Sequence, residues 1–190
     1  GVEKNVFTRQ ALWAMNPDGT AFELFFGNTI EDPCSFWTAV PIPGRSEVVC
    51  VLGPHHGEQA GSVGLVWNRV GPEAPRGEGF RGVTRDLPSH GDITFAHGYS
   101  RPFPVHECLF LVSYGGDGQT RNRLYLLDDR GNRKCIYEDA QFGCWDPLLV
   151  RPRELPPVIT PRCENVEFVC RDPEESNRGP DDGPQATLVV

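Results

Sequence analysis

The sequence of 190 residues has few basic residues, no long apolar run and no paired-cysteine motif. No apolar stretch approaches the roughly 20 residues of a membrane-spanning helix, so no membrane span is expected. The 18 Lys and Arg against 26 Asp and Glu give a net charge of −8. This balance argues against a nucleic-acid partner, because phosphate binding needs a basic surface. The seven cysteines include no Cys-x-x-Cys pair, which excludes zinc-ribbon, thioredoxin-type and c-type haem attachment motifs in this sequence.

Helical periodicity is also missing. No window shows a sustained apolar stripe at 3.6-residue spacing, so long helices are not expected. Glycine and proline are abundant instead, with 21 and 18 residues, whereas methionine occurs once. This composition is typical of a turn-rich β protein. We therefore predict an all-β fold.

A repeated segment is the most informative feature of the chain. The sequence "LWAMNPDGT" at residues 12–20 recurs as "LYLLDDRGN" at residues 124–132, and residues 24–25 then match residues 136–137. A weaker copy, "GLVWNRVG", keeps the Asn-x-x-Gly turn at residues 64–71. Aromatic and apolar flanks around such a turn favour a β-hairpin. Because repeats at a fixed period indicate solenoids or propellers, each copy is interpreted as part of a propeller blade.

The turn in each copy has the residues that a bulged hairpin needs. Pro17 presets φ for the second position of a type I turn, and Asn16 can bond to the backbone ahead of it. The turn glycines are expected in the left-handed conformation, with positive φ. Residues 128–131 supply the same geometry without proline. The predicted structural turn residues are therefore Asn16, Asp18, Gly19, Asp128 and Gly131.

The spacing of the turn glycines gives a loose period of about 50–60 residues, slightly longer than a typical blade. A Gly-, Pro- and Arg-rich insertion near residues 71–92 accounts for the excess. We predict antiparallel four-stranded blades that form a partial β-propeller of about two and a half blades over residues 1–159. Residues 160–190 are interpreted as a linker, a flexible acidic loop and the start of a further strand. Predicted strands cover residues 12–16, 21–26, 36–40, 47–52, 62–67, 104–114, 124–127 and 134–137.

Two residue types suggest packing roles. The cysteines are interpreted as small apolar residues buried on strands, although Cys163 and Cys170 could instead close a small disulfide loop. Large aromatic side chains fill the wedge-shaped gaps between blades. That role is predicted for Trp13, Trp37, Trp67 and Trp145.

The best candidates for a cofactor contact are His55 and His56 in "GPHHG". Imidazole is a common ligand of metals, but neighbouring side chains on an extended backbone point apart. A third ligand would have to come from His97, His106 or an acidic residue. The alternative is a structural role, in which one histidine bonds the backbone of its loop. No serine, carboxylate or glycine-rich pattern indicates catalysis, so neither a catalytic site nor a metal site is predicted.

The turn "LWAMNPDGT" resembles the repeat of TolB-type β-propellers. A set of segments in order along the chain resembles the middle, propeller domain of hydrazine synthase alpha-subunit-like proteins from bacteria. These segments are "LWAMNPDGT", "FFGN", "AVPIPG", "GPHHG", "LFLVSY", "LYLLDDRGN" and "RPRELPPVI". The resemblance implies a multidomain, extracytoplasmic (periplasm-like) protein in which the propeller lies beside cytochrome c-type regions.

The function that this resemblance implies is a non-catalytic scaffold that positions haem-carrying or partner domains. Since a closed propeller has at least four blades, the chain is expected to be a fragment of a larger protein. Its partners would be neighbouring domains of the same polypeptide or partner subunits. No cofactor is expected in this chain, although haem c is expected in its parent protein. The alternative is part of a haem-dependent oxidoreductase, in which the "GPHHG" loop lines a haem or metal cavity.

Overall fold

The computed structural model describes residues 2–4, 9–56, 59–85, 87–89, 98–116 and 121–152. The chain divides into two compact units, Gly1–Pro156 and Pro157–Val190, and every described residue belongs to the first. The predicted linker, loop and strand at residues 160–190 therefore lie outside the described residues, as do Cys163 and Cys170. The described strands are β1 (Val2–Lys4), β2 (Arg9–Ala14), β3 (Glu23–Phe26), β4 (Ser35–Pro41), β5 (Val48–Gly53), β6 (Ser62–Val66), β7 (Phe80–Gly82), β8 (Gly98–His106), β9 (Leu109–Gly115), β10 (Arg123–Asp128) and β11 (Arg133–Tyr137).

The described residues form no helix, and their strands form two curled sheets. The all-β prediction, with the curvature of a partial propeller, is confirmed. The first sheet contains the β2–β3 hairpin and a four-stranded antiparallel meander, β4–β5–β6–β7, which we call the middle meander. The second sheet is another four-stranded antiparallel meander, β8–β9–β10–β11, which we call the outer meander.

Two details of the topology differ from the prediction. The first sheet is mixed rather than wholly antiparallel, because β2 pairs in parallel with β4 at Gln10 and Ser35. The single strand predicted over residues 104–114 is wrong, since this segment contains a turn at Glu107 and Cys108 between β8 and β9. The apolar alternation continues on both sides of that turn, and no glycine or proline marks it. The segment predicted as an insertion near residues 71–92 supplies β7, which pairs with β6.

The first strands of the two meanders share a bulge. In β4 the register shifts between Trp37 and Val40, and in β8 it shifts between Ser100 and Phe103. Each bulge contains a non-glycine residue in the left-handed conformation, Thr38 (φ 53°) in β4 and Arg101 (φ 50°) in β8. The two meanders therefore share one backbone irregularity in their first strands, although β8 has a second register shift, between Pro104 and His106, that β4 lacks.

Two apolar cores lie between the β2–β3 hairpin, the middle meander and the outer meander. The proximal core lies between the β2–β3 hairpin and the middle meander, and the distal core lies between the two meanders. Both faces of β5 are buried, because Cys50 and Leu52 face the proximal core while Val49 faces the distal core. The proximal core contains Leu12, Phe26, Phe36, Cys50, Leu52, Val66, Ala74 and Phe80. The distal core contains Ile42, Val49, Val63, Leu65, Val83, Tyr99, Phe110, Val112 and Leu127.

The two repeated turns have the same backbone geometry. The amide of Asn16 donates to the carbonyl of Thr20 at 2.8 Å, and the amide of Asp128 donates to that of Asn132 at 2.9 Å. Gly19 has a φ of 78° and Gly131 a φ of 91°. The prediction of positive φ at both glycines is confirmed, because each turn needs a left-handed residue before the second strand.

The side chains that support the two turns differ. In the first turn the Asp18 carboxylate accepts from the Thr20 amide at 3.0 Å, and the Asn16 side chain donates to the Thr20 hydroxyl at 3.0 Å. In the second turn the carboxylate is at the first position. Asp128 accepts from the backbone amide of Asn132 at 2.8 Å and from its side-chain amide at 2.8 Å. The bond from the Asn132 side chain lowers the pKa of the Asp128 carboxyl below its usual value.

The predicted match of residues 24–25 with residues 136–137 is wrong by one position. Both hairpins have a bulge at the same place, between Leu12 and Trp13 and between residues 124 and 125. Beyond it, Trp13 pairs with Leu24, whereas Tyr125 pairs with Cys135. The first hairpin therefore has one more residue after its turn, where Ala21 takes a φ of 52°.

The predicted packing roles hold for some of the tryptophans and cysteines. Trp37 is buried and Trp67 packs against the distal core, whereas Trp13 is half-buried and stacks on Phe22 with 4.9 Å between ring centroids. Trp145 is 44% exposed, so it does not fill a gap between the described meanders. No disulfide forms among the five cysteines within the described ranges. Cys34 and Cys50 are buried, Cys144 is half-buried, and Cys108 and Cys135 are exposed.

Candidate functional site

His55 and His56 of the "GPHHG" segment follow β5, an inner strand of the middle meander. His55 is buried and His56 is exposed, and their ring centroids lie 4.0 Å apart. The expectation that the two side chains point apart is wrong, because the backbone bends at both residues instead of remaining extended. The carbonyl of His55 accepts a bond of 3.4 Å from the side-chain amide of Gln10. This bond ties the loop to β2.

The candidate third ligands do not join this pair in the described part of the chain. His106 is an exposed residue at the end of β8, and His97 lies outside the described residues. Among the residues that the structure describes, no group of three or more His, Cys, Asp or Glu side chains could hold a metal ion. Within the described ranges, the two imidazoles are thus in contact but belong to no set of three metal ligands.

A different cluster, which is not among the predicted site residues, lies on the outer meander. Each of its four strands contributes one side chain: Tyr99 from β8, Tyr114 from β9, Tyr125 from β10 and Arg133 from β11. The Tyr99 and Tyr114 ring centroids are 4.4 Å apart with 35° between the ring planes. The Tyr114 and Tyr125 centroids are 5.7 Å apart and the rings are nearly perpendicular, at 87°. We call these three rings the tyrosine cage.

The guanidinium of Arg133 occupies the tyrosine cage. Its central carbon lies 4.2 Å from the Tyr114 centroid, 5.3 Å from that of Tyr125 and 5.6 Å from that of Tyr99. All three distances are within the roughly 6 Å over which a cation is attracted to an aromatic face. Arg133 also donates a hydrogen bond of 2.6 Å to the Tyr99 hydroxyl oxygen. The site therefore combines three aromatic faces and one hydroxyl around a single positive charge.

The cage stands at the edge of the distal core. Tyr99 is part of that core, and the half-buried Tyr114 and Tyr125 pack against it, so the rings are held by the same packing that joins the two meanders. β11 is exposed along its length. Three of the chain's four tyrosines form the cage. Their positions on neighbouring strands are the signal that could have indicated it.

A charged cluster joins the two meanders beside the second repeated turn. The Asp129 carboxylate lies 3.7 Å from the Arg45 guanidinium and 3.6 Å from that of Arg81. Arg81 also donates a bond of 2.9 Å to the Asp129 backbone carbonyl. Arg45 bonds to Glu47 at 2.9 Å, and this hydrogen bond lowers the pKa of the Glu47 carboxyl. One aspartate of the outer meander is therefore held by two arginines of the middle meander.

The fold and these clusters define a class, that of an all-β protein built from repeated, propeller-like meanders. None of the described segments forms an apolar helix of membrane-spanning length. Comparison with protein-family models, with curated proteins and with solved structures found no match to this chain.

Proposed function

We propose that this chain is a non-catalytic scaffold of propeller blades in a larger, exported protein similar to hydrazine synthase alpha subunits. In that protein the blades position haem-carrying domains or partner subunits. The family resemblance rests on the sequence segments given above. The scaffold role rests on the exposed apolar side chains of one surface.

The observation that carries this proposal is an exposed apolar surface on β11 and the segment after it. Val150 is 97% exposed, Phe142 70% and Leu148 68%. Exposed apolar patches mark sites of interaction with other proteins or domains. The other large apolar side chains exposed in this part of the chain are Ile136, Tyr137, Trp145 and Leu149.

The repeat explains why this face would bind a neighbour. In the β2–β3 hairpin, Leu12 and its cross-strand partner Phe26 are buried against the middle meander. The matching pair in the outer meander is Leu124 and Tyr137. Leu124 is half-buried, and Tyr137 is 54% exposed. The β2–β3 hairpin packs against the middle meander through this face. The corresponding face of the outer meander is partly exposed.

A test compares the oligomeric state of the chain with that of two variants by size-exclusion chromatography with light scattering. We expect the chain alone to associate as its concentration rises, because large apolar side chains of this surface are exposed. Leu148→Asp should reduce this association. Val70→Asp should not, since Val70 is 65% exposed but lies in the β6–β7 connection. A chain that stays monomeric at every concentration and binds no hydrophobic dye would contradict the proposal.

The second candidate function is a place in a haem-dependent redox enzyme, and the contact between the His55 and His56 rings favours it. A haem titration followed at the Soret band separates the two functions. The scaffold proposal expects no shift typical of axial ligation. A stoichiometric shift that is lost in His55→Ala, but kept in the control His106→Ala, would favour the redox function instead.

A further inference from the structure

We propose that the tyrosine cage is a binding site for a trimethylammonium group, and that Arg133 is its internal, exchangeable occupant. The inference concerns a different surface from the apolar one discussed above and does not depend on the scaffold function. It rests on the geometry of the three rings, on the position of the guanidinium among them and on the exposure of the strand that carries it.

The rings form a preorganised box. Tyr99 and Tyr114 are direct cross-strand partners on β8 and β9, and Tyr125 lies on the next strand, β10. The perpendicular setting of the Tyr114 and Tyr125 rings gives the box two adjoining walls. Because the backbone of three paired strands holds these rings, little ordering is required when a ligand enters. Such preorganisation is a principal source of affinity for small ligands.

The position of Arg133 shows where a cation is stable. The guanidinium carbon lies between 4.2 and 5.6 Å from all three ring centroids, so one charge is attracted by three negative ring faces at once. A trimethylammonium group is a cation of comparable size that has no hydrogen-bond donors and is weakly hydrated. It gains the same attraction to the ring faces and loses less hydration than a primary ammonium. The net charge of −8 favours the approach of any cation.

The strand that carries Arg133 makes the occupant replaceable. β11 is the last strand of the outer meander and pairs only with β10 among the described strands. Its residues are exposed, and the long Arg133 side chain reaches the cage from the surface. Withdrawal of this side chain breaks its hydrogen bond to the Tyr99 hydroxyl, but Tyr99 itself is also held by the distal core, with Phe110 and Leu127.

The experiment measures binding of tetramethylammonium chloride, followed by tyrosine fluorescence and by calorimetry. We expect Arg133→Ala to bind this probe about tenfold more tightly than the unmodified chain, because the competing guanidinium has been removed. Lys134→Ala, a change at the next residue of the same strand, should bind like the unmodified chain. Adding Tyr114→Leu to Arg133→Ala should abolish the gain, since Tyr114 is the ring nearest to the cation.

Two further measurements complete the test. Circular dichroism shows whether Arg133→Ala is folded, and if it is not, Arg133→Gln replaces it. Choline and a trimethyllysine peptide are then compared with an unmodified lysine peptide. The tighter binder identifies whether the trimethylammonium group comes from a free small molecule or from a protein side chain. No gain in affinity in either Arg133 variant, or a gain that survives Tyr114→Leu, would overturn the proposal and leave Arg133 as a structural clamp.

Discussion

Gly19 and Gly131 occupy the same position in the two repeated turns, but their surroundings differ. Both have a positive φ, which costs a residue with a Cβ about 1–2 kcal/mol. A Cβ at Gly19 would meet nothing within 4 Å, whereas one at Gly131 would lie 2.5 Å from the Val83 carbonyl oxygen. The second turn is therefore packed against the middle meander, and the first turn is not.

This difference predicts unequal costs for the same substitution. Gly19→Ala should lower the free energy of unfolding by about 1 kcal/mol, through backbone conformation alone. Gly131→Ala should lower it by about 2 kcal/mol or more, because the new methyl group also overlaps the Val83 carbonyl. Urea denaturation of both variants measures the costs, and Gly19→Ala serves as the conformational control. Equal costs would show that the second turn is not packed as described.

At the scale of the elements, ion pairs connect the β10–β11 turn of the outer meander to the middle meander. Asp129 contacts guanidinium groups from two segments of the middle meander, those of Arg45 and Arg81. The distances of 3.6–3.7 Å and the partial exposure of all three side chains indicate a modest contribution. The backbone bond from Arg81 to the Asp129 carbonyl does not depend on the carboxylate.

Removing the charge of Asp129 should therefore weaken the contact between the two meanders without disrupting the turn. Asp129→Asn is expected to cost about 0.5–1 kcal/mol of stability, and the cost should shrink at high salt because ions screen partly exposed charges. The matched control is Glu138→Gln, which removes an ion pair of 2.9 Å with Arg123 inside the outer meander. Thermal melts at low and high salt measure both variants. A salt-independent cost for Asp129→Asn would mean that the carboxylate does not act through charge.

The elements also show which strands and turns can be predicted from local sequence patterns. The apolar run at residues 47–52 predicts a strand, and the structure has β5 at Val48–Gly53. The sequence of residues 104–114 does not show that two strands lie there, because Glu107 and Cys108 form a turn without the glycine or proline that usually marks one. A turn can be predicted from the sequence when it contains a residue such as glycine, as at Gly19 and Gly131. A turn formed by other residues, such as Glu107 and Cys108, leaves no such signal.

At the scale of the whole described unit, burial is unequal between its three parts. The middle meander is covered on both faces, and all five residues of β6 are buried. This explains its apolar runs, since a strand covered on both sides has no polar face. The outer meander is covered by the middle one on one face, and β11 is exposed. The apolar surface proposed to hold a neighbour lies at this less covered end of the repeat.

Some properties follow from residues that are close together in the chain. The all-β class, the hairpin turns and the positive φ of Gly19 and Gly131 depend on local backbone preferences, so composition and turn residues were enough to predict them. The partners of the functional side chains depend instead on strand register and on which faces of the sheets meet. Arg133 reaches the hydroxyl of Tyr99 across 34 residues of chain, and Arg81 reaches Asp129 across 48. No local preference acts over such separations, so only the packing of the meanders could bring these groups together.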